Sequence, residues 1–170
     1  VDYRQWSEDG HIIPTSEAKK SIDYDRILQE VEKIVKVLNV RCIGYDPHNY
    51  DKIIPSLEEQ GVNCMEYRQV PSWMHTPTKK IEELVINGQM IHDDNPCMAW
   101  MIGNVVIMRD TNDNMKIDKR KSISKVDGPV ARAIALGTFL TKNPDDDVIT
   151  VESLGLLSIE DIADEILGVE

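Results

Sequence analysis

Apolar residues recur at two periods along the chain, and the alternation between them sets the expected architecture. Ile27, Leu28, Val31, Ile34, Val35 and Leu38 repeat at helical spacing behind Asp23 or Asp25, either of which suits a helix cap. Val40–Tyr45 is a short, largely apolar run that stops at Asp46-Pro47 and reads as a strand. A helix over Asp51–Gln60, closed by Gly61, and a strand over Val62–Tyr67 follow. Helix, strand, helix, strand at this spacing predicts an α/β domain with neighbouring parallel strands.

The flanking segments complete the pattern. Asp2–Glu8 reads as a short helix ending at Gly10, and His11–Ile13 as a brief strand before Pro14. Ser16–Ser21 and Pro71–Thr76 read as loops, and Thr76-Pro77 as the start of a helix running to Asn87-Gly88. Asp94-Asn95-Pro96 opens another helix through Ile102. Val105–Arg109 and Met115–Ile117 flank the polar run Thr111–Asn114 as a hairpin. Asp127-Gly128-Pro129 begins an Ala-rich helix to Leu140. Pro144–Asp147 is a turn, and Ser158–Leu167 a last short helix.

Charge changes the picture once its distribution is considered. The net charge of −11 argues against nucleic acid at first sight. From Asp145 onward, however, there are nine acids and no Lys or Arg, which leaves 21 acids against 19 bases, a net of −2, in residues 1–144. Lys116, Lys119, Arg120, Lys121 and Lys125 crowd into ten residues of that near-neutral body. Such a run suits phosphates or a solvated loop alike, and it lacks the interleaved aromatics of a single-strand stacking platform. Cys42, Cys64 and Cys97 are far apart and read as reduced, mostly buried thiols rather than zinc ligands. No run approaches the roughly 20 apolar residues of a bilayer span, so no membrane partner is expected.

Two aspartates are candidates for chemistry. Asp46 follows a buried-looking strand, where sites in α/β sheets gather, and is equally a turn aspartate before proline. Asp127 presents a carboxylate at a helix start beside the basic run, and is equally a plain cap. His48, two residues past Asp46, could reach the same place or be an exposed loop histidine. Asp110–Asn114 resembles a calcium loop but puts Met115 where glycine belongs and Lys121 where glutamate belongs. No H-E-x-x-H, G-x-S-x-G or phosphate-binding loop with Lys-Ser/Thr is present. Trp6, Trp73 and Trp100 read as packing residues.

The order of several segments is more specific than any one of them. Ile22-Asp23-Tyr24-Asp25, Ile43-Gly44-Tyr45-Asp46-Pro47, Arg68-Gln69, Thr76–Leu84 and Asn95-Pro96 occur in that order. Trp100-Met101, Gly103-Asn104-Val105-Val106, Asp118-Lys119, Lys121-Ser122 and Lys125-Val126-Asp127-Gly128 follow. From Tyr3 to Leu140 this set resembles the nuclease domain of the large terminase subunit of tailed phages. The resemblance implies a ribonuclease H-like mixed sheet flanked by helices, and metal-dependent cutting of concatemeric double-stranded DNA in the cytoplasm of a bacterial host. It implies that Asp46 and Asp127 match the second and third acidic motifs, which hold Mg²⁺ or Mn²⁺ in a two-metal site. By their charge, and not by the resemblance, Lys119, Arg120, Lys121 and Lys125 are expected to face DNA; the resemblance implies that the small terminase subunit and portal are partners of the full-length protein.

The first acidic motif has no counterpart here. The opening strands and the ATPase domain are therefore expected to lie outside this chain, leaving a nuclease domain at 1–143 and an acidic tail at 144–170. Such a stretch is expected to bind metal weakly, to cut poorly, and to self-associate through an uncovered sheet edge. The competing expectation is a non-catalytic module that binds DNA or a packaging partner, with Asp46 and Asp127 as turn and cap.

Overall fold

The structure is a computed structural model that describes residues 1–14, 22–48 and 53–142. The expected loop at 16–21, turn at 144–147 and helix at 158–167 lie outside the described residues.

Among the described residues, ten elements follow one another: α1 (Tyr3–Glu8), α2 (Tyr24–Val37), β1 (Ile43–Tyr45), α3 (Ile54–Glu59), β2 (Cys64–Glu66), α4 (Pro71–Ile86), α5 (Pro96–Gly103), β3 (Ile107–Arg109), β4 (Met115–Ile117) and α6 (Asp127–Lys142). β1 and β2 pair in parallel, with Ile43, Gly44 and Tyr45 opposite Cys64, Met65 and Glu66. β3 and β4 pair antiparallel. The parallel pairing agrees with the helix–strand alternation. Where one mixed sheet was expected, the described strands form two separate two-stranded sheets.

The core lies where α4, α6 and β4 meet. Tyr67, Met74, Ile117, Val126, Val130, Ala133 and Ile134 form it, with Met65, Ile81 and Val105 against its edge. Met74, Pro77, Thr78 and Ile81 fall at helical spacing on one side of α4, the arrangement that buries a stripe. In β4 the period of two buries Met115 and Ile117 and turns Lys116 the other way. Burying a side chain such as Met74 contributes about 1.5–3 kcal/mol. α2 has no buried residue, and Ile34 on its apolar stripe stays exposed.

α4 begins five residues earlier than its sequence suggests. Pro71 occupies the first turn, where a missing N–H costs nothing, and Pro77 then lies inside the helix. Proline at 77 cannot donate to the carbonyl of Trp73. The Tyr67 hydroxyl donates to that carbonyl instead, at 2.8 Å, and repairs the lost bond. Trp73 therefore sits on a helix rather than in a loop, edge-on to the Tyr67 ring. The strand expected at His11–Ile13 does not form: His11 and Ile12 both direct their N–H groups to the Trp6 carbonyl, winding the chain around the end of α1. Trp6 and Trp100 pack together with Tyr3, as packing residues should. Of the three thiols, only Cys97 is buried; Cys42 and Cys64 are half-buried. Burial pushes the Cys97 thiol pKa up, and burial, then Glu58 and Cys42, do the same to Cys64.

Two glycines let α6 approach its neighbours. A Cβ at Gly44 would fall on the Thr138 side chain, and one at Gly137 on the Tyr67 hydroxyl and ring. β1 and the Tyr67 ring therefore lie directly against the second half of α6.

Candidate functional site

The loop from β4 to α6 carries the basic run, and it is tied at both ends. At its start, Asp118 is almost fully buried. Its carboxylate accepts the backbone N–H groups of Arg120 (3.0 Å) and Lys121 (3.3 Å), and its carbonyl accepts the N–H and hydroxyl of Ser122. At its end, the buried Asn104 amide donates to the Lys125 carbonyl at 3.2 Å, and Val126 is buried in the core. Asp110 organises the preceding hairpin in the same manner. Its carboxylate accepts from Asn112 N–H and from both the side chain and backbone of Asn114, and the Asn114 side-chain bond is the main reason its pKa is lowered. That carboxylate serves its own turn, which agrees with the hairpin reading over a calcium loop.

Beside this loop is a groove of about 680 Å³. Met74, Met108, Ile117 and Val130 give it apolar walls, Lys116, Lys119, Arg120 and Lys121 give it positive charge, and Gln69, Pro71 and Asp118 complete it. Lys116 is held in place by the Gln69 carbonyl at 3.0 Å. Of the basic residues expected to act together, Lys119, Arg120 and Lys121 line the groove; Lys125 is exposed outside it.

Asp127 stands in the first turn of α6, 3.4 Å from the Lys119 ammonium, with its side chain 68% exposed. An exposed pair of this kind contributes only about 0–1 kcal/mol, so it is easily exchanged for other partners. Gly128 beyond it has its N–H on the Met101 sulfur, and a Cβ there would meet the ends of Met98 and Met101.

Asp46 follows β1 and is half-buried; one carboxylate oxygen accepts the His48 N–H at 2.8 Å, closing a turn. The plain turn role foreseen for an Asp before proline is thus filled by one of its oxygens. His48 is exposed. Asp46 is not part of the groove lining. It hangs from a strand packed on the Ile134–Thr138 stretch of α6, the helix that begins at Asp127. About 10 Å of helix separates Asp127 from Ile134, and about 7 Å of strand separates Gly44 from Asp46. The contact of Gly44 with Thr138 and Ile134 thus links the strand before Asp46 to the helix that begins at Asp127. Among the described residues, no three His, Cys, Asp or Glu side chains gather closely enough to hold a metal ion.

Asp118 and Asn104 stand in two of the segments that carry the resemblance, but the sequence assigned neither a role. The signal available for Asp118 is the same one that marks Asp46, an aspartate at the end of a strand. Asn104 gave no local signal, because its partner is 21 residues away.

An α/β domain with a basic groove at the mouth of a helix is the class these elements define. Its fold matches the crystal structure of the HK97 bacteriophage large terminase with a TM-score of 0.73 at 24% identity, over 81% of this chain and 29% of that one. A family model for the terminase large subunit, endonuclease domain, matches residues 1–143, and the chain belongs to that family. It is 25% identical to the terminase large subunit of Enterobacteria phage HK97, over 79% of this chain and 27% of the phage protein. It is 30% identical to protein YmfN of Escherichia coli K12, over 92% of this chain and 35% of that protein. The chain thus spans between 27% and 35% of the length of these relatives. No described helix is long and apolar enough to cross a membrane.

Proposed function

We propose that this chain is the DNA-cutting part of a phage packaging enzyme, a divalent-metal-dependent endonuclease of ribonuclease H-like fold that cleaves concatemeric double-stranded DNA. The observation that carries the reading is the endonuclease-domain match over residues 1–143. Asp46 and Asp127 are its metal ligands. Their oxygens suit hard cations such as Mg²⁺ or Mn²⁺, and each has bonding capacity left: Asp46 uses one oxygen in its turn, and Asp127 is paired only loosely with Lys119. When bound, paired ions would supply an activated water and stabilise the leaving oxygen in an in-line displacement.

The chain's own residues then divide the work. Lys119, Arg120 and Lys121 hold backbone phosphates along the groove, and Lys125 offsets phosphate charge beside Asp127. As DNA enters, Lys119 exchanges Asp127 for a phosphate, which frees the carboxylate for the cation. Two carboxylates fall short of what a paired-ion site requires, so the 170 residues by themselves cut poorly or not at all. In the full protein the small terminase subunit and portal are the partners, and the host cytoplasm is the setting.

The test is cleavage of supercoiled plasmid with Mn²⁺ by the protein at its natural length. Asp46→Ala and Asp127→Ala should each abolish cutting, and chelator should do the same. Undiminished cutting by either variant removes that residue from the site. The turn that Asp46 closes on the His48 N–H favours one alternative, a non-catalytic module that binds DNA or a packaging partner, with Asp46 and Asp127 as turn and cap. That reading predicts no cleavage with any metal but unchanged DNA binding in both Asp variants.

A further inference from the structure

The loop that carries the basic run also carries Ile123, a residue 84% exposed, the highest value among the exposed large hydrophobic residues that the structure describes. Isolated surface isoleucines are ordinary. This one differs in its mounting. Asp118 fixes the backbone at Arg120, Lys121 and Ser122, and Asn104 fixes it again at Lys125. Ile123 therefore projects from a short span held at both ends, with Lys121 before it and Lys125 after it, both exposed.

We infer that Ile123 is an apolar wedge that enters a groove of double-stranded DNA while Lys121 and Lys125 hold the phosphates on either side. The inference rests on the reading of this loop as a DNA contact and adds how it grips the duplex. A loop with cations flanking an aliphatic tip is complementary to a duplex, whose phosphates are charged and whose stacked base faces, reached between steps, are apolar. Aliphatic side chains inserted between base steps partly unstack them and bend the duplex. The cost of that deformation is least at pyrimidine–purine steps. Ile123 would thus bias the chain toward flexible steps without a hydrogen bond to any base.

The experiment measures binding and bending of a doubly labelled 30-base-pair duplex by fluorescence transfer in EDTA, where cleavage cannot contribute, using the full-length protein. Ile123→Ala should bind roughly tenfold more weakly. It should lose the bend and keep the parent's slope of log affinity against log salt. Lys121→Ala should instead lower that slope by about one, the signature of a lost phosphate contact. Equal thermal stability of parent and Ile123→Ala, expected for so exposed a side chain, separates these effects from misfolding. If Ile123→Ala binds and bends like the parent while Lys121→Ala weakens binding, the loop touches phosphates alone and the wedge is wrong. If neither substitution alters binding, the loop does not contact DNA and the wedge falls with it, whatever the cleavage assays show. A change in sedimentation instead of binding would make Ile123 a protein contact and overturn the inference.

Discussion

Gly137→Ala tests the packing that joins the two halves of the candidate site. In most helix interiors this substitution stabilises, by up to about 1 kcal/mol. Here the new methyl would fall on the hydroxyl and ring of Tyr67. Tyr67 cannot retreat freely. Its hydroxyl holds the Trp73 carbonyl left open by Pro77, its ring meets Trp73, and its N–H is bonded to the Tyr45 carbonyl at 2.7 Å. Forcing a methyl into a filled core costs about 1–3 kcal/mol. Losing the hydroxyl's bond adds roughly 0.5–1.5 kcal/mol. Set against the helix gain, the net is a destabilisation of about 2 kcal/mol, or a Tm lower by roughly 4–8 °C for a chain of this size. Gly103→Ala is the control, since nothing lies within 4 Å of a Cβ there. Thermal denaturation by circular dichroism should show Gly137→Ala falling while Gly103→Ala holds or rises. Adding Tyr67→Phe to Gly137→Ala removes the hydroxyl, so the double variant should be less destabilised than the two single changes summed. If Gly137→Ala is as stable as the parent, Tyr67 does not pack on α6 as described.

Three further outcomes follow from particular contacts. Asn104→Ala should release the Lys125 carbonyl, costing about 0.5–1.5 kcal/mol of stability for the lost hydrogen bond; denaturant titration measures this, and an unchanged midpoint would show that the loop is held elsewhere. Asp110 has a lowered pKa, so its contribution to hairpin stability is complete above its unfolded value and is lost as pH falls through the folded one. Asn114→Ala removes the leading cause, and carboxyl NMR titration should then find the Asp110 pKa raised toward the ordinary range; an unmoved value would refute the assignment. Asp118→Ala should loosen Arg120 and Lys121 and weaken DNA binding at low salt, with Asp118→Asn recovering part of the loss because its side-chain oxygen still accepts; equal binding by all three forms would make Asp118 irrelevant to the groove.

Local signals carried much of the fold. Asn95 before Pro96, the polar turn at Asp110–Asn114 and Asp127-Gly128-Pro129 all act within four residues, and the elements they announce form there. The start of α4 was hidden because its two prolines argue against a helix, and the group that compensates for Pro77 is a tyrosine ten residues earlier, just past the end of β2. The strand expected at His11–Ile13 was an apolar triplet with no partner, and the end of α1 captured its N–H groups. The basic run was legible as charge, but not as a groove, because Met74, Met108 and Val130 come from three separate elements. The tie between Lys119 and Asp127 was likewise invisible to spacing. The sequence resemblance marked Asp46 and Asp127, and the fold hangs them from packed elements. Whether they share a cation depends on geometry that no spacing along the chain encodes.

The most direct test of the account is Mn²⁺ binding by isothermal titration calorimetry to the protein at its natural length, as the parent, as Asp46→Asn, as Asp127→Asn and as the double variant. The account predicts that each single change weakens binding at least tenfold, and that the double variant is little worse than either, because both carboxylates serve one site. Parent-like Mn²⁺ affinity in either single variant, or two losses that simply add, would contradict it.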